Sequence, residues 1–211
     1  MKESLHPSKN ISSTTKLKEL NEWNLRAIAA KNEVNSILRD IGITEKFPEL
    51  KTLLELNQEE AEVVVIKLFK RFHIIAVTLK NRRQKKPPFE IEDEYGVQDL
   101  LEALLRIYFD DVRPEEPTPT VAGSFSRIDF ILKRQKIGIE AKIAMGDHAN
   151  NDIKKELTLD KDYYRRNTDC IKLLCLVYDP NHKIKNAFGF EDDLSDNISG
   201  LETKVFVIPK L

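Results

Sequence analysis

The sequence predicts an α/β protein in which an N-terminal α-helical region precedes an α/β sandwich built on a mixed central sheet. Three observations carry that expectation. Apolar residues recur at helical spacings from about residue 15 to 81, after a polar stretch over 1–14, and residues 127–143 alternate with period two on either side of a four-residue polar break. Ile171–Tyr178 is a nearly continuous apolar run, as expected of a strand covered on both faces.

Composition sets the outer bounds. The chain has 211 residues, 41% apolar and 33% charged, room for one large or two small domains with a core of ordinary size. It contains no run of about 18 apolar residues, so no membrane span is predicted. The N-terminal Met-Lys-Glu-Ser-Leu-His-Pro-Ser lacks the apolar stretch of a secretory signal, so the expected setting is the cytoplasm. Cys170 and Cys175 show neither Cys-x-x-Cys spacing nor a histidine at zinc spacing, which predicts buried free thiols. The net charge of −1 hides an asymmetry: residues 1–86 hold 17 Lys and Arg against 11 Asp and Glu, net +6, and residues 87–211 hold 17 against 24, net −7. The basic half can supply phosphate contacts that the acidic half lacks.

Taken in order, Leu17, Leu20, Trp23, Leu25, Ile28, Val34, Ile37 and Leu38 mark an amphipathic helix over about 15–40. Gly42 ends it, and Thr44 caps a shorter helix to about Leu56. Asn57 with Glu60 three residues on is an Asx form of the capping box, opening a helix to about Asn81. Val63, Val64, Ile66, Leu68, Phe69, Phe72, Ile74, Ile75, Val77 and Leu79 cover more than one face of it. Such a helix is central to a bundle or pairs with another chain. His73 within it reads as a satisfied boundary histidine.

Lys80-Asn-Arg-Arg-Gln-Lys-Lys-Pro-Pro88 is the sharpest shift in composition, a basic cluster closed by two prolines that cannot continue a helix. The domain boundary is placed there, giving a helical region 1–86 for oligomerisation, sensing or DNA contact, and a second domain 87–211. A helix over about Glu94–Asp110 follows, with Val97, Leu101, Leu104, Leu105 and Tyr108 as its apolar stripe. Glu94 and Gln98 fall on that same side, and polar groups on a buried face need a reason. Val112–Pro119 reads as a Pro- and Glu-rich connection, and Thr120–Ser124 as a short strand or turn.

Arg127 to Ile143 is the predicted β-hairpin, turning through Lys133-Arg-Gln-Lys136. Symmetric closure sets Leu132 opposite Ile137, Phe130 opposite Ile139 and Asp129 opposite Glu140, with Lys142 on the same side. Opposed carboxylates repel, so a compensating cation is expected. Mg²⁺, with Mn²⁺ as a substitute, takes hard oxygen ligands from one or two carboxylates and keeps waters for a phosphate and a nucleophile. Lys142 can then orient the nucleophile and offset developing charge.

An acid on one strand followed by acid-any-Lys on the next resembles the PD-(D/E)XK, or restriction-endonuclease-like, superfamily. Asp129, Glu140 and Lys142 match its pattern, and Ile128 stands where a proline often precedes the first acid. The wider run Glu92–Leu101, Arg113-Pro-Glu-Glu, Ser126-Arg-Ile-Asp-Phe, Ile139-Glu-Ala-Lys and Val177-Tyr-Asp-Pro180 is similar to the C-terminal nuclease domain of GATC-cleaving restriction endonucleases, over roughly residues 90–211. The resemblance implies a restriction-endonuclease-like sandwich and DNA cleavage leaving a 5′-phosphate, in a bacterial restriction or phage-defence setting. It also implies that Glu94 reaches the metal and that Ser126 and Arg127 lie near the site.

Beyond the hairpin, His148 reads as a loop histidine and Asp152 to about Arg166 as a helix with Ile153, Leu157 and Tyr164 inward. Its Lys154, Lys155, Lys161, Arg165 and Arg166 can track a phosphate backbone, or form a solvated face. Glu191–Asp196 suits a short helix, and Lys204–Pro209 a last strand. The expected catalytic residues are therefore Asp129, Glu140 and Lys142, the metal ligands Asp129, Glu140 and Glu94, and the substrate contacts Arg127, Lys154 and Lys155. The expected partner is DNA, with homo-oligomerisation through the N-terminal helices or a regulatory protein as further partners, and no membrane. The competing expectation is a non-cleaving module that binds nucleic acid or a partner on a nuclease-like fold.

Overall fold

The computed structural model describes residues 57–84, 86–117 and 127–210, together with Glu22, residues 25–30, Glu33, Val34, Ser36 and Ile37. The chain divides into two compact units, Met1–Leu56 and Asn57–Leu211. In the first, every described position is helical, in agreement with the helix expected over 15–40. The expected helix over 44–56, the Thr120–Ser124 segment and Ser126 lie outside the described residues.

The second unit opens with α1 (Gln58–Lys80). Both halves of its capping box form: Glu60 N–H donates to Asn57 Oδ1 at 2.9 Å, and Asn57 N–H to Glu60 Oε2 at 3.0 Å. There follow α2 (Glu94–Leu105), β1 (Arg113–Pro117), β2 (Arg127–Leu132), β3 (Ile137–Ile143), α3 (Ala149–Tyr164), β4 (Lys172–Tyr178), α4 (Ala187–Leu194), β5 (Asp196–Ile198) and β6 (Leu201–Ile208). The six strands form one sheet in the order β1-β2-β3-β4-β6-β5. β3, β4 and β6 run parallel, and β1, β2 and β5 are antiparallel to their neighbours. The mixed sheet is thus the one expected.

One face of the sheet is covered by α3 and α4. Ile153, Leu157, Tyr164, Phe190 and Leu194 pack there on Leu173, Cys175, Val177, Val205 and Val207. The other face carries α1, where Phe69 meets Phe206 with ring centroids 5.8 Å apart and Phe72 meets Tyr178 at 5.1 Å. α2 packs against α1 and β3. β4 is buried along its whole length, as its apolar run requires. Cys170 and Cys175 are buried free thiols, and His73 Nδ1 lies 3.3 Å from the Tyr178 hydroxyl at the boundary of the core.

Three expectations change. The sheet-bearing unit begins at Asn57, whereas the basic cluster put the boundary at 86/87. That cluster only marks the link between α1 and α2, and α1 belongs to the sheet. Its Ala61, Val64, Val65, Leu68, Phe69, Phe72 and Ala76 are buried, and Glu62 is ion-paired to Lys172 of β4 and, at 2.5 Å, to Lys204 of β6. Arg113–Pro117, expected as a connection, is the edge strand β1, and an edge is where prolines are tolerated within a sheet. The α2 helix stops at Leu105 and gives way to a turn well before Asp110.

Candidate active site

The hairpin closes with Leu132 on Ile137 and Phe130 on Ile139 as expected, but its ladder ends there, so the expected pairing of Asp129 with Glu140 does not form. Ile128 and Ile131 line the same buried cluster. Strict alternation would send residues three apart to opposite faces, so β2 turns about its axis at Asp129. The Asp129 carboxylate takes up the strand partner that is left open: Oδ2 accepts from the Ala141 N–H at 2.8 Å, and Oδ1 from Gln98 Nε2 of α2 at 2.9 Å.

On β3, Glu140 is almost wholly buried, its side chain 3% exposed, and Lys142 stands two residues on along the same face. Lys142 Nζ lies 3.0 Å from Glu140 Oε1, 3.4 Å from Glu94 Oε1 of α2 and 3.6 Å from Asp160 Oδ2 of α3. Glu140 Oε2 accepts from the Tyr164 hydroxyl of α3 at 2.8 Å, and the same hydroxyl lies 2.8 Å from the Arg127 carbonyl. Side chains from both helix layers therefore meet where the β2–β3 ladder opens.

Negative charge exceeds positive here, and the protonation preferences follow. Burial pushes the Asp129 carboxyl up to about 7 from an ordinary 3.8; the Ala141 amide and Lys142 pull it back, and Glu94 and Asp160 push it further. Burial, then Asp129, drives Glu140 well above the carboxylate range against the pull of Lys142. Glu94 and Asp160 are raised too, by burial foremost, with Lys142 restraining both. Burial alone would lower the Lys142 ammonium, but Glu140, Glu94 and Asp160 outweigh it and leave it raised, so this lysine is a cation and not a base. The Tyr164 phenol, raised by burial and by Glu140, stays protonated and donates.

The structure brings Asp129, Glu140, Lys142 and Glu94 together, and Arg127 enters through its backbone carbonyl. Lys154 and Lys155 lie elsewhere on α3. Lys154 Nζ is 2.7 Å from Asp193 of α4, and Lys155 is exposed. Sequence reasoning missed Asp160. It sits seven residues after Ile153 and four before Tyr164, on the buried stripe of α3, and that position was the available signal. The Asp129 and Glu140 oxygens are hard donors, each with one hydrogen bond and a lone pair to spare. Among the described residues no three His, Cys, Asp or Glu side chains converge as a metal-holding group. Two carboxylates suffice for Mg²⁺, which keeps most of its waters, so the donor set fits that ion.

A mixed sheet between helix layers, with an acid-x-Lys strand paired to an acid-bearing strand, defines a restriction-endonuclease-like α/β fold. Residues 63–210 match the DpnII-MboI restriction endonuclease family, and the chain belongs to it. It is accordingly a nuclease of the restriction type, a hydrolase whose substrate is DNA. Comparison with curated proteins and with solved structures gave no match. Among the described residues no helix is long and apolar enough to cross a membrane.

Proposed function

We propose that this chain is a Mg²⁺-dependent DNA endonuclease that hydrolyses phosphodiester bonds in a cytoplasmic restriction or phage-defence role, with Asp129 and Glu140 as the residues that hold the ion. The observation that carries the reading is the cluster of one buried and three half-buried carboxylates around a single lysine, an arrangement short of positive charge. When bound, Mg²⁺ supplies Lewis acidity at a phosphate oxygen and lowers the pKa of water, and Mn²⁺ substitutes for it.

The remaining steps belong to the side chains. Lys142 is protonated and donates: it orients the attacking oxygen and stabilises charge growing on the phosphate oxygens. Glu94 and Asp160, at 3.4 and 3.6 Å from the ammonium, would hold it if Glu140 gave its carboxylate to the ion, and Glu94 would be a further oxygen ligand. Arg127, at the open end of β2, and Lys155 on α3 supply phosphate contacts.

The test is incubation of unaltered protein and Lys142→Ala with supercoiled, linear and single-stranded DNA, each with Mg²⁺ and with chelator. Cleavage by the unaltered protein in Mg²⁺ alone, and its loss in the variant, are the expected results. Equal cleavage in chelator would remove the cation from the mechanism.

A further inference from the structure

We infer that Gln98 and Tyr164 are positioning residues, each fixing from a different helix layer one of the two carboxylates that face the cation. The inference rests on the reading of Asp129 and Glu140 as cation ligands. The four oxygens of these two carboxylates each receive one donor. Asp129 is held by the Ala141 amide at 2.8 Å and the Gln98 side-chain amide at 2.9 Å. Glu140 is held by the Lys142 ammonium at 3.0 Å and the Tyr164 hydroxyl at 2.8 Å. Rotation of either side chain about its terminal torsion breaks two contacts at once.

The chemical type of the helix donors matters. Lys142 is a charge that competes with any cation for Glu140, and it has Glu94 and Asp160 as alternatives at 3.4 and 3.6 Å. An amide and a phenol carry no charge. They orient the oxygens while leaving the negative charge to an incoming ion, as neutral outer partners do for metal-bound carboxylates. Packing accounts for the Tyr164 ring but not for its hydroxyl, and it does not account for Gln98. Gln98 interrupts the apolar stripe of α2 between Val97 and Leu101, and the Tyr164 hydroxyl is carried to the sheet by a side chain with no exposed surface. A buried hydroxyl is costly unless it is hydrogen-bonded.

Tyr164 has a second geometrical task. Its one hydroxyl proton lies between the Arg127 carbonyl of β2 and Glu140 of β3, both at 2.8 Å. Beyond the last paired residues, Phe130 and Ile139, two ties join these strands in place of the ladder: the bond from the Ala141 N–H to Asp129, and the phenol. The second of these ties comes from α3.

The test measures ion uptake directly. The full chain is titrated with Mn²⁺ by calorimetry and by the free-Mn²⁺ paramagnetic resonance signal, comparing unaltered protein with Gln98→Leu, Tyr164→Phe and a packing control, Tyr163→Phe. The expected result is Mn²⁺ binding weakened about 10- to 100-fold in the first two and unchanged in the control. The Mg²⁺ midpoint of cleavage should move by the same factor, while the rate at saturating Mg²⁺ and the KM for DNA stay within a few-fold. Mn²⁺ binding within twofold of the unaltered protein in both variants overturns the inference and leaves the proposed function standing. No Mn²⁺ uptake by the unaltered protein overturns both. If Tyr164→Phe lacks a cooperative melt, Gln98→Leu and Gln98→Met, at a half-exposed helix position, decide the question by the same criterion.

Discussion

Lys142 on β3 and Lys172 on β4 stand on neighbouring strands of one sheet, and both ammonium groups meet carboxylates. Their surroundings differ in charge balance. Lys172 and Lys204 are matched by Glu62 and Glu202, two cations to two anions, with Glu202 oxygens 3.0 Å from each lysine. There the Glu202 carboxyl is lowered, first by its hydrogen bond from Lys204, and the Lys204 ammonium is raised by Glu62 and Glu202 against the pull of burial. Around Lys142 the same chemistry runs short of cations. Asp129, Glu140, Glu94 and Asp160 are all raised toward protonation. A balanced network locks α1 onto the sheet, whereas an unbalanced one leaves acids that hold protons a cation can displace.

The largest effect that would break this comparison is on cleavage. Lys142→Ala, Asp129→Ala and Glu140→Ala should each lower plasmid cleavage at least about 100- to 1000-fold, the scale of losing a transition-state charge partner. The same variants should keep the cooperative melt of the unaltered protein. Asp129→Asn should melt higher, because it removes one of the mutually repelling acids. A variant that cleaves at the original rate would show that its charge is structural after all.

Next in size is the balanced network. Glu62→Ala strands the buried Lys172 ammonium with only Glu202 and cuts the tie between α1 and the sheet. Removing one partner of a buried pair is expected to cost about 3 kcal/mol, read as a shift in the urea midpoint. Cleavage per folded molecule should not change. Loss of activity without loss of stability would merge the two clusters into one functional unit.

The pH dependence separates them further. With a folded-state value of about 7 against an ordinary 3.8, Asp129 binds in the folded protein a proton that the unfolded chain has already released. Its stabilising contribution is therefore full below about pH 4 and is lost as pH rises through 7. Glu140 is shifted in the same direction. In chelator, stability should fall between pH 4 and 8 by on the order of 2–4 kcal/mol. Mg²⁺ at pH 8 should restore part of it, and Asp129→Asn should flatten the slope. A flat profile for the unaltered protein in chelator would remove the charge imbalance on which the site depends.

What the residues foretold and what they hid divide on physical lines. The capping box at Asn57 and Glu60, the register of Leu132 on Ile137 and the covered strand β4 depend on neighbours in sequence or on a period, so they were legible. Glu94 and Gln98 betrayed themselves as polar groups on an apolar stripe. The attachment of α1 was hidden because composition changes at a helix end, whereas the partners that bury Glu62 lie 110 and 142 residues away. Asp160 was hidden among the charges of α3, its partner Lys142 brought near only by the fold. The turn of β2 at Asp129, which lets the carboxylate take the Ala141 amide, breaks the period that revealed the hairpin.

The smallest predicted effect applies the same balance to the surface of α3. Lys154 is committed to Asp193 at 2.7 Å and lies 5.7 Å from the centre of the Phe190 ring, whereas its exposed neighbour Lys155 has no partner among the described residues. An exposed ion pair contributes no more than about 1 kcal/mol to stability, but it holds the ammonium away from a phosphate. Each phosphate contact adds about 0.9 to the slope of log affinity against log salt on duplex DNA. If α3 follows the backbone, Lys155→Ala should reduce that slope by roughly one contact in fluorescence anisotropy with chelator present, and Lys154→Ala by less. Asp193→Ala, which releases Lys154, should steepen the slope. Identical slopes for all three variants would make α3 a solvated face and confine DNA contact to the rim of the Lys142 cluster.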